Sequence, residues 1–407
     1  MKLVSKRRRR RKHKQQSSGN VRPRRLNWRS QTAELAIVLA GLGTAIFVGL
    51  TAGEGRDPSL TAKASVGLPA SFDEGVADIS SNLFSNGEAS YNAKVPPNLD
   101  RSQRLQAIVD RVVRSAYIRG MPTDRLSVYL VDLNTQQFAE YRGQTLRYPA
   151  SVVKIFWMVL LFDRVERGIL PPEKLNFDLE ECDSELCQMV QLSNNDAASV
   201  IVDEVTQTAP GDPFDTEDFD RWLHARQFVN RFFGNSGYEQ LNIAQKNYPI
   251  YYLGQDLPQG RELLASGTEP EAVRNQMSAA HAARLMYEIA NKRAISETAS
   301  RQMLQLMKRD LTWDPWRDGY YHPIDGFFGG GLMEELRRSQ VSLYSKVGLT
   351  TETRNEVALV RTVDGRANYI LAVFGDDVAY GADEEIFPEL SRIVFASLTG
   401  GNPERSP

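Results

Sequence analysis

Leu35 to Gly53 (LAIVLAGLGTAIFVGLTAG) is a run of 19 residues without a charge. At ~1.5 Å rise per residue it makes a helix of about 28 Å, close to the thickness of a bilayer's hydrocarbon core. Just upstream stand Lys6, Arg7 through Arg11, Lys12, Lys14, Arg22, Arg24, Arg25 and Arg29. Of the chain's 49 basic side chains, 13 fall in residues 1–30, which hold no acid; the other 36 share the remaining 377 residues with all 51 acids. The formal charge of -2 is therefore a cationic end of +13 and a remainder of -15. Positive charge flanking one side of a span keeps that side in the cytoplasm, so the bulk of the chain is expected outside.

Two other readings fit less well. A cleaved signal peptide has a shorter basic region and a small-x-small site directly after the apolar run, whereas Ala62-Lys63-Ala64 lies about ten residues too far on. The basic block could bind nucleic acid, but beside a span it is accounted for by orientation and lipid contact, and no nucleic-acid partner is expected. Residues 1–34 thus read as a basic cytoplasmic tail, 35–53 as the transmembrane anchor and 54–100, rich in Gly, Ser, Asp, Asn and Pro, as a flexible linker. Residues 101–400 read as one domain and 401–407 as a tail.

With only 2 Cys in 407 residues the chain is not a disulfide-stapled scaffold, and its 42% hydrophobic content excludes wholesale disorder. Cys182 and Cys187 would point about 140° apart on a helix and could not bridge; in a loop they could.

Within the domain, Arg101 to Ile118 has helical periodicity. Leu126 to Leu133 and Phe138 to Tyr141 read as strands joined through Asn134-Thr135-Gln136-Gln137. Glu356 to Val363 and Ala367 to Phe374 flank Asp364-Gly365, a strong hairpin signal, and Glu384 to Leu398 closes the domain as an amphipathic helix. Strands at both ends with helices between them predict an α+β fold: an antiparallel sheet flanked by helices, with an all-helical lobe.

Several chemistries are absent. The 4 His (His13, His224, His281, His322) are scattered without HxH or HExxH, so no metal is implied; no organic cofactor is implied either. There is no G-x-S-x-G elbow and no phosphate loop. What remains is Tyr148-Pro149-Ala150-Ser151-Val152-Val153-Lys154, opening the apolar run Ile155 to Phe162, which at eight residues is a buried helix and not a second span. Ser151 and Lys154 stand at i and i+3 on one face, about 5–6 Å apart at Cβ. A lysine entering an apolar helix is costly to bury charged, its pKa falls, and a neutral amine beside a hydroxyl activates a nucleophile without His. The same spacing also suits a capping serine and a snorkelling lysine.

Two further groups tip that balance. Ser193-Asn194-Asn195 precedes a helix (196–205), and Lys346-Val347-Gly348 lies on an apolar segment before the Asp-Gly hairpin. Alone, Ser193 with Asp196 resembles a capping box and Lys346 an edge-strand lysine. In the order S-x-x-K, S-x-N, K-x-G they resemble the signature of serine β-lactamases and penicillin-binding DD-peptidases. The resemblance covers roughly residues 100 to 400. VYLVDLNTQQFAEY is similar to the opening hairpin of the class A β-lactamase fold, NQMSAAHAARLM (275–286) to the helix after its omega loop, and TRNEVALV to the strand after the K-x-G.

The resemblance implies Ser151 as acylated nucleophile, Lys154 as general base or proton relay, and Ser193 as proton donor to the leaving nitrogen. Asn195 would hold the substrate amide, Lys346 would attract its carboxylate, and the N–H groups of Ser151 and of Leu349, after Gly348, would form the oxyanion hole. The reaction would be acyl transfer through a Ser151 ester followed by its hydrolysis, of the β-lactamase or DD-carboxypeptidase type, on a β-lactam or a peptidoglycan stem peptide.

Two departures bear on function. The family's deacylating Glu, three residues before a Leu-Asn pair, is replaced in Gly237-Tyr238-Glu239-Gln240-Leu241-Asn242 by Tyr238, with Glu239 one residue late. That shift moves a carboxylate by ~3.3–3.8 Å. A trapped acyl-enzyme follows, which suits a DD-peptidase or a non-hydrolytic penicillin sensor better than an efficient antibiotic hydrolase. The second departure is Val347, where the family carries a hydroxyl for the substrate carboxylate; Arg354 is the expected substitute, with Thr350 and Thr351 behind it. Trp313 to Gly331 reads as an aromatic, glycine-rich insertion near the site.

Overall fold

The computed structural model describes residues 89–212, 216–268, 272–309 and 322–401. The expected cytoplasmic tail, anchor and most of the linker, the Trp313–Trp316 stretch and the last six residues lie outside the described residues. No described helix is long and apolar enough to cross a membrane.

Among the described residues seven strands form one sheet: β1 (Asp100–Arg101), β2 (Leu126–Asp132), β3 (Gln137–Tyr141), β4 (Lys308–Arg309), β5 (Val341–Thr350), β6 (Thr353–Thr362) and β7 (Asn368–Gly375). Their spatial order is β1-β3-β2-β7-β6-β5-β4. The early hairpin meets the late one directly, since β2 pairs antiparallel with β7 from Leu126↔Gly375 to Asp132↔Tyr369. The sheet is mixed, contrary to the antiparallel expectation. The chain enters along the outer edge, so β1 pairs parallel with β3 (Asp100↔Gln137, Arg101↔Phe138).

The helices are α1 (Gln103–Ile118), α2 (Lys154–Glu166), α3 (Glu185–Val190), α4 (Asn195–Thr206), α5 (Thr216–Arg226), α6 (Phe228–Gly234), α7 (Gly260–Ser266), α8 (Ala279–Ala290), α9 (Glu297–Met307), α10 (Met333–Arg337), α11 (Val378–Ala382) and α12 (Ile386–Thr399). Two apolar clusters follow from the two-residue alternation of the strands. On one face Val128, Leu130, Leu371 and Val373 pack with α1 and α12; on the other Val131, Val357, Leu359 and Ile370 pack with α8 and the helical lobe. Helix α2 is the lobe's centre. Its residues from Lys154 to Asp163 are all buried, as suits a helix apolar all round.

The end of the segment expected to be flexible linker is instead bound to the domain. Tyr91 is fully buried among Phe232, Phe233 and Tyr238; its N–H donates to the Phe232 carbonyl (3.0 Å) and its carbonyl accepts from Ser236 Oγ (2.6 Å). Asn92 and the Ala93 carbonyl tie the same strap to the Arg293–Ile295 turn and to Arg284. The cause is the aromatic side chain, which a linker composed of Gly, Ser and Pro would lack.

The cysteine alternatives resolve toward the bridged one. Cys182 stands before α3 in left-handed backbone (φ 48°), Cys187 within it, and the two form a disulfide across 5 residues.

Because Tyr91 fills the aromatic cluster of the lobe, Tyr91→Ala should lower unfolding free energy by about 3 kcal/mol. Denaturant titration of the domain, with the wild type alongside, checks this; an unchanged midpoint would mean that the strap is not part of the folded unit.

Candidate active site

Pro149, Ala150, Ser151, Val152 and Val153 make the turn into α2. Ala150 to Val153 form a 3-10 turn without a side-chain cap, and Ala150 has φ 46°. A residue with a Cβ pays for left-handed backbone, so such strain persists only where the surroundings impose it. They do so here from β5 and β6. A Cβ on Gly348 would lie 2.5 Å from the Pro149 carbonyl oxygen and 3.0 Å from the Ser151 nitrogen, so only glycine lets the strand press on the turn. Asn355, fully buried on the neighbouring strand, donates its Nδ2–H to the Tyr148 carbonyl at 2.9 Å.

The structure excludes the plainer alternatives for the motif residues. Ser151 does not cap an α-helix, and Lys154 does not snorkel, being fully buried. Its Nζ donates to the Ser193 carbonyl (2.5 Å) and to Asn195 Oδ1 (2.7 Å). Burial lowers its pKa to about 7. Ser193 does not cap α4 either: Asn194 does, accepting from the Ala197 N–H at 3.0 Å. Ser193 itself is held at φ 58° and its Oγ accepts from Lys346 Nζ at 2.8 Å. Lys346 is fully buried, with a second bond to the Val347 carbonyl (3.0 Å). Burial first, then the positive charge of Lys154, holds its pKa well below the usual lysine value.

Ser151, Lys154, Ser193, Asn195, Lys346 and Gly348 therefore meet between the helical lobe and the end of β5. Leu349, next along the strand, is 39% exposed there and is paired with Arg354. Among the described residues, no acidic side chain is hydrogen-bonded to either lysine ammonium. Two buried amines sharing one serine cannot both remain charged at low cost, so the cluster can accept, hold and return a proton.

Other expected residues are engaged elsewhere. Val347 is buried in the far-face cluster with Leu343 and Val360, its side chain on the side opposite Lys346. Arg354 lies across the ladder from Leu349 and is also buried. Its Nε donates to the Tyr380 carbonyl (3.0 Å), Nη1 to Gly326 (2.7 Å) and Nη2 to Gly381 (3.1 Å), and it stacks on Phe327. It ties loops together and does not replace the family's carboxylate-binding hydroxyl. Tyr238 is buried edge-on to Phe156 and Phe233, and its hydroxyl donates to Glu288 Oε2 at 2.6 Å. Glu239 is exposed and lines a separate cavity with Gln144, His281 and Tyr287. Asn242 pairs with Gln276 and with Asn230 (2.8 Å). The one-residue shift thus leaves Glu239 on that cavity, whose lining includes none of the motif residues.

Residues that the motifs do not announce complete the site. Ala150 and Asn355 shape the Ser151 turn, and no local pattern marks either one. Glu356, buried on the far face of β6, accepts from the Phe328 N–H (2.7 Å) and has its pKa raised to about 8 by burial.

The sign of one pH effect follows from Lys154. Its pKa is depressed from the unfolded value, so between about pH 7 and 10 the unfolded chain binds the additional proton and stability rises with pH. Lys154→Met should lose that part of the slope, so the wild type gains stability relative to the variant as pH is raised from 7 to 10. Denaturation midpoints at the two pH values test it; parallel shifts would contradict a depressed lysine.

A search of the curated proteins returned no match to the chain. Several solved structures resemble it. A β-lactamase from Sphaerobacter thermophilus DSM 20745 is 18% identical, with 73% of this chain and 99% of that chain covered and a TM-score of 0.47. PBP-A is 16% identical over 75% of this chain and 100% of its own, with a TM-score of 0.49. A class A β-lactamase of the last common ancestor of Gram-negative bacteria is 16% identical over 72% and 99%, with a TM-score of 0.47. The model of the β-lactamase enzyme family matches residues 103–181 and 184–398, more than half of the sequence. The chain belongs to the β-lactamase enzyme family of serine hydrolase-like enzymes.

Proposed function

We propose that the domain is an acyl-transfer enzyme that forms a Ser151 ester with β-lactams or with D-alanyl peptides of peptidoglycan. The observation that carries this reading is the pair of buried lysines on Ser193, with Lys154 at a pKa of about 7 one turn from Ser151. Lys154, as the free amine, takes the Ser151 proton as Oγ attacks the substrate carbonyl. The N–H groups of Ser151 and Leu349 stabilise the oxyanion, and the turn pressed on Gly348 keeps them in place. Ser193 then gives a proton to the departing nitrogen and recovers one from Lys346, which is in turn supplied through the cluster by Lys154. Protons and charge balance over acylation, with no cofactor needed.

Lys346 supplies positive potential for the substrate carboxylate; with Val347 and Arg354 turned away, that contact is weaker than in relatives with a hydroxyl. The Cys182–Cys187 bridge fits an oxidising compartment. It agrees with an extracytoplasmic domain carried on the apolar run 35–53, with the basic tail inside.

A second reading is favoured by one observation, the absence of any hydrogen-bonded carboxylate beside the lysines among the described residues. A penicillin or wall-fragment sensor would acylate and stop. Fluorescent penicillin separates the outcomes. The wild type should take label, Ser151→Ala should take none, and Lys154→Ala should label about 10²–10⁴-fold more slowly. The adduct should persist for hours. Equal labelling of Ser151→Ala would overturn the site, and turnover within seconds would make the protein an efficient β-lactamase.

A further inference from the structure

Arg309 lies behind the two lysines, at the end of the short edge strand β4, and is 2% exposed. Its guanidinium reaches two elements at once. Nη1 donates to Gln191 Oε1 (3.0 Å) and to the Gln191 carbonyl (3.3 Å). Nη2 donates to the Ser345 carbonyl (2.9 Å), and Nε to Ser345 Oγ (3.3 Å). Gln191 in turn donates its Nε2–H to the carbonyls of Leu306 (2.6 Å) and Lys308 (3.1 Å), beside Arg309 itself.

The sequence positions give these contacts their meaning. Gln191 stands two residues before Ser193 and Ser345 one residue before Lys346. With the Lys346–Ser193 bond, the chain of contacts closes into a ring: Ser193, Gln191, Arg309, Ser345, Lys346. Among the described residues β4 pairs with β5 at two positions, Lys308↔Tyr344 and Arg309↔Leu343, so the side-chain fork is a substantial part of what holds the ring. A planar fork that bonds in two directions is what an arginine supplies and a lysine does not.

We propose that Arg309 is a positioning residue that ties the Ser193 arm to the Lys346 strand and fixes the distance over which the proton is passed between them. The inference rests on the acyl-transfer reading of the site. Among the described residues Arg309 is bonded to Gln191 and Ser345, and it acts through them. Its charge has a second effect. Burial apart, the charges that act on Lys346 come from Lys154 on α2, Arg309 on β4 and Glu356 on the far face of β6, with Ser193 bonded to it from the loop before α4; the two cations disfavour its protonated form and Glu356 favours it.

Three variants separate the tie from the charge, with the acylation rate by fluorescent penicillin measured against pH and thermal melts confirming folding. Arg309→Met removes both, and should slow acylation on the order of a hundredfold, as misplacement of a catalytic pair does. The limb of its pH profile set by Lys346 should move upward, since a neighbouring cation is gone. Arg309→Lys and Gln191→Leu keep a cation and break the fork or its partner; both should slow acylation with the limb unmoved, and they stand if Arg309→Met does not fold. Rates of Arg309→Lys and Gln191→Leu within about threefold of the wild type would overturn the tie, whatever Arg309→Met does. A wild type that takes no label would instead remove the functional reading on which the inference rests.

Discussion

Two lysine side chains with no exposure and, among the described residues, no hydrogen-bonded carboxylate are the most expensive feature of this domain, and most of the site's construction serves to keep them there. An ammonium taken from water without a counter-ion costs several kcal/mol even after relaxation. The cost falls if the group gives up its proton, which is the direction in which burial drives both Lys154 and Lys346. Stability and chemistry therefore pull on the same atoms. The lobe supplies the apolar helix that excludes water from Lys154, the sheet supplies the strand that carries Lys346, and Ser193 has one lysine on its backbone carbonyl and the other on its hydroxyl.

The strained backbone at Ala150 and Ser193 is explained by the same requirement. Each left-handed residue stands at a motif group: Ala150 directly precedes Ser151, and Ser193 is itself bonded to both lysines. Neither strain could persist in a loose loop. The Ser151 turn is pinned by Gly348 and Asn355. The Ser193 loop hangs from α3, a helix of only six residues whose Cys187 is bridged to Cys182 and whose Cys187 carbonyl accepts the Gln191 N–H (2.8 Å). Such short elements gain little order from their own hydrogen bonds, so covalent and side-chain ties replace length.

How much of this the sequence discloses depends on the scale of the signal. The hairpins, α1, α2 and α12 follow from periodicity and turn residues. The pairing of β2 with β7 follows from strands at both ends of one domain. The motif residues stand out because their order is specific even though each alone is not. What fails is the inference from family position to side-chain direction. Val347 neighbours Lys346 on a strand, and alternation sends its side chain to the opposite face. Arg354 shares that far face because the register sets it against Leu349. The mixed sheet was hidden because two residues, Asp100 and Arg101, carry no pattern. Tyr91 was hidden because one aromatic in a polar segment gives no period. Arg309 and Asn355 act through bonds to carbonyls far away in sequence, which no local pattern encodes.

The position that would carry a deacylating carboxylate shows how deeply the difference from class A β-lactamases is built in. Tyr238 is not a polar residue waiting at the mouth of the site. Its ring packs with Tyr91, Phe156 and Phe233, the guanidinium of Arg284 lies 4.0 Å over it, and its hydroxyl satisfies the buried Glu288. A carboxylate placed there would share the one Arg284 guanidinium with the buried Glu288, where burial and the second negative charge favour a proton on one of the two. It would also leave a cavity in the cluster that holds the strap at Tyr91. Nor can Glu239 stand in, because the chain that buries Tyr238 turns the next residue outward. Bringing a carboxylate from this segment to the lysines thus requires moving the loop, not exchanging one side chain, and the aromatic packing that anchors the start of the domain opposes that movement.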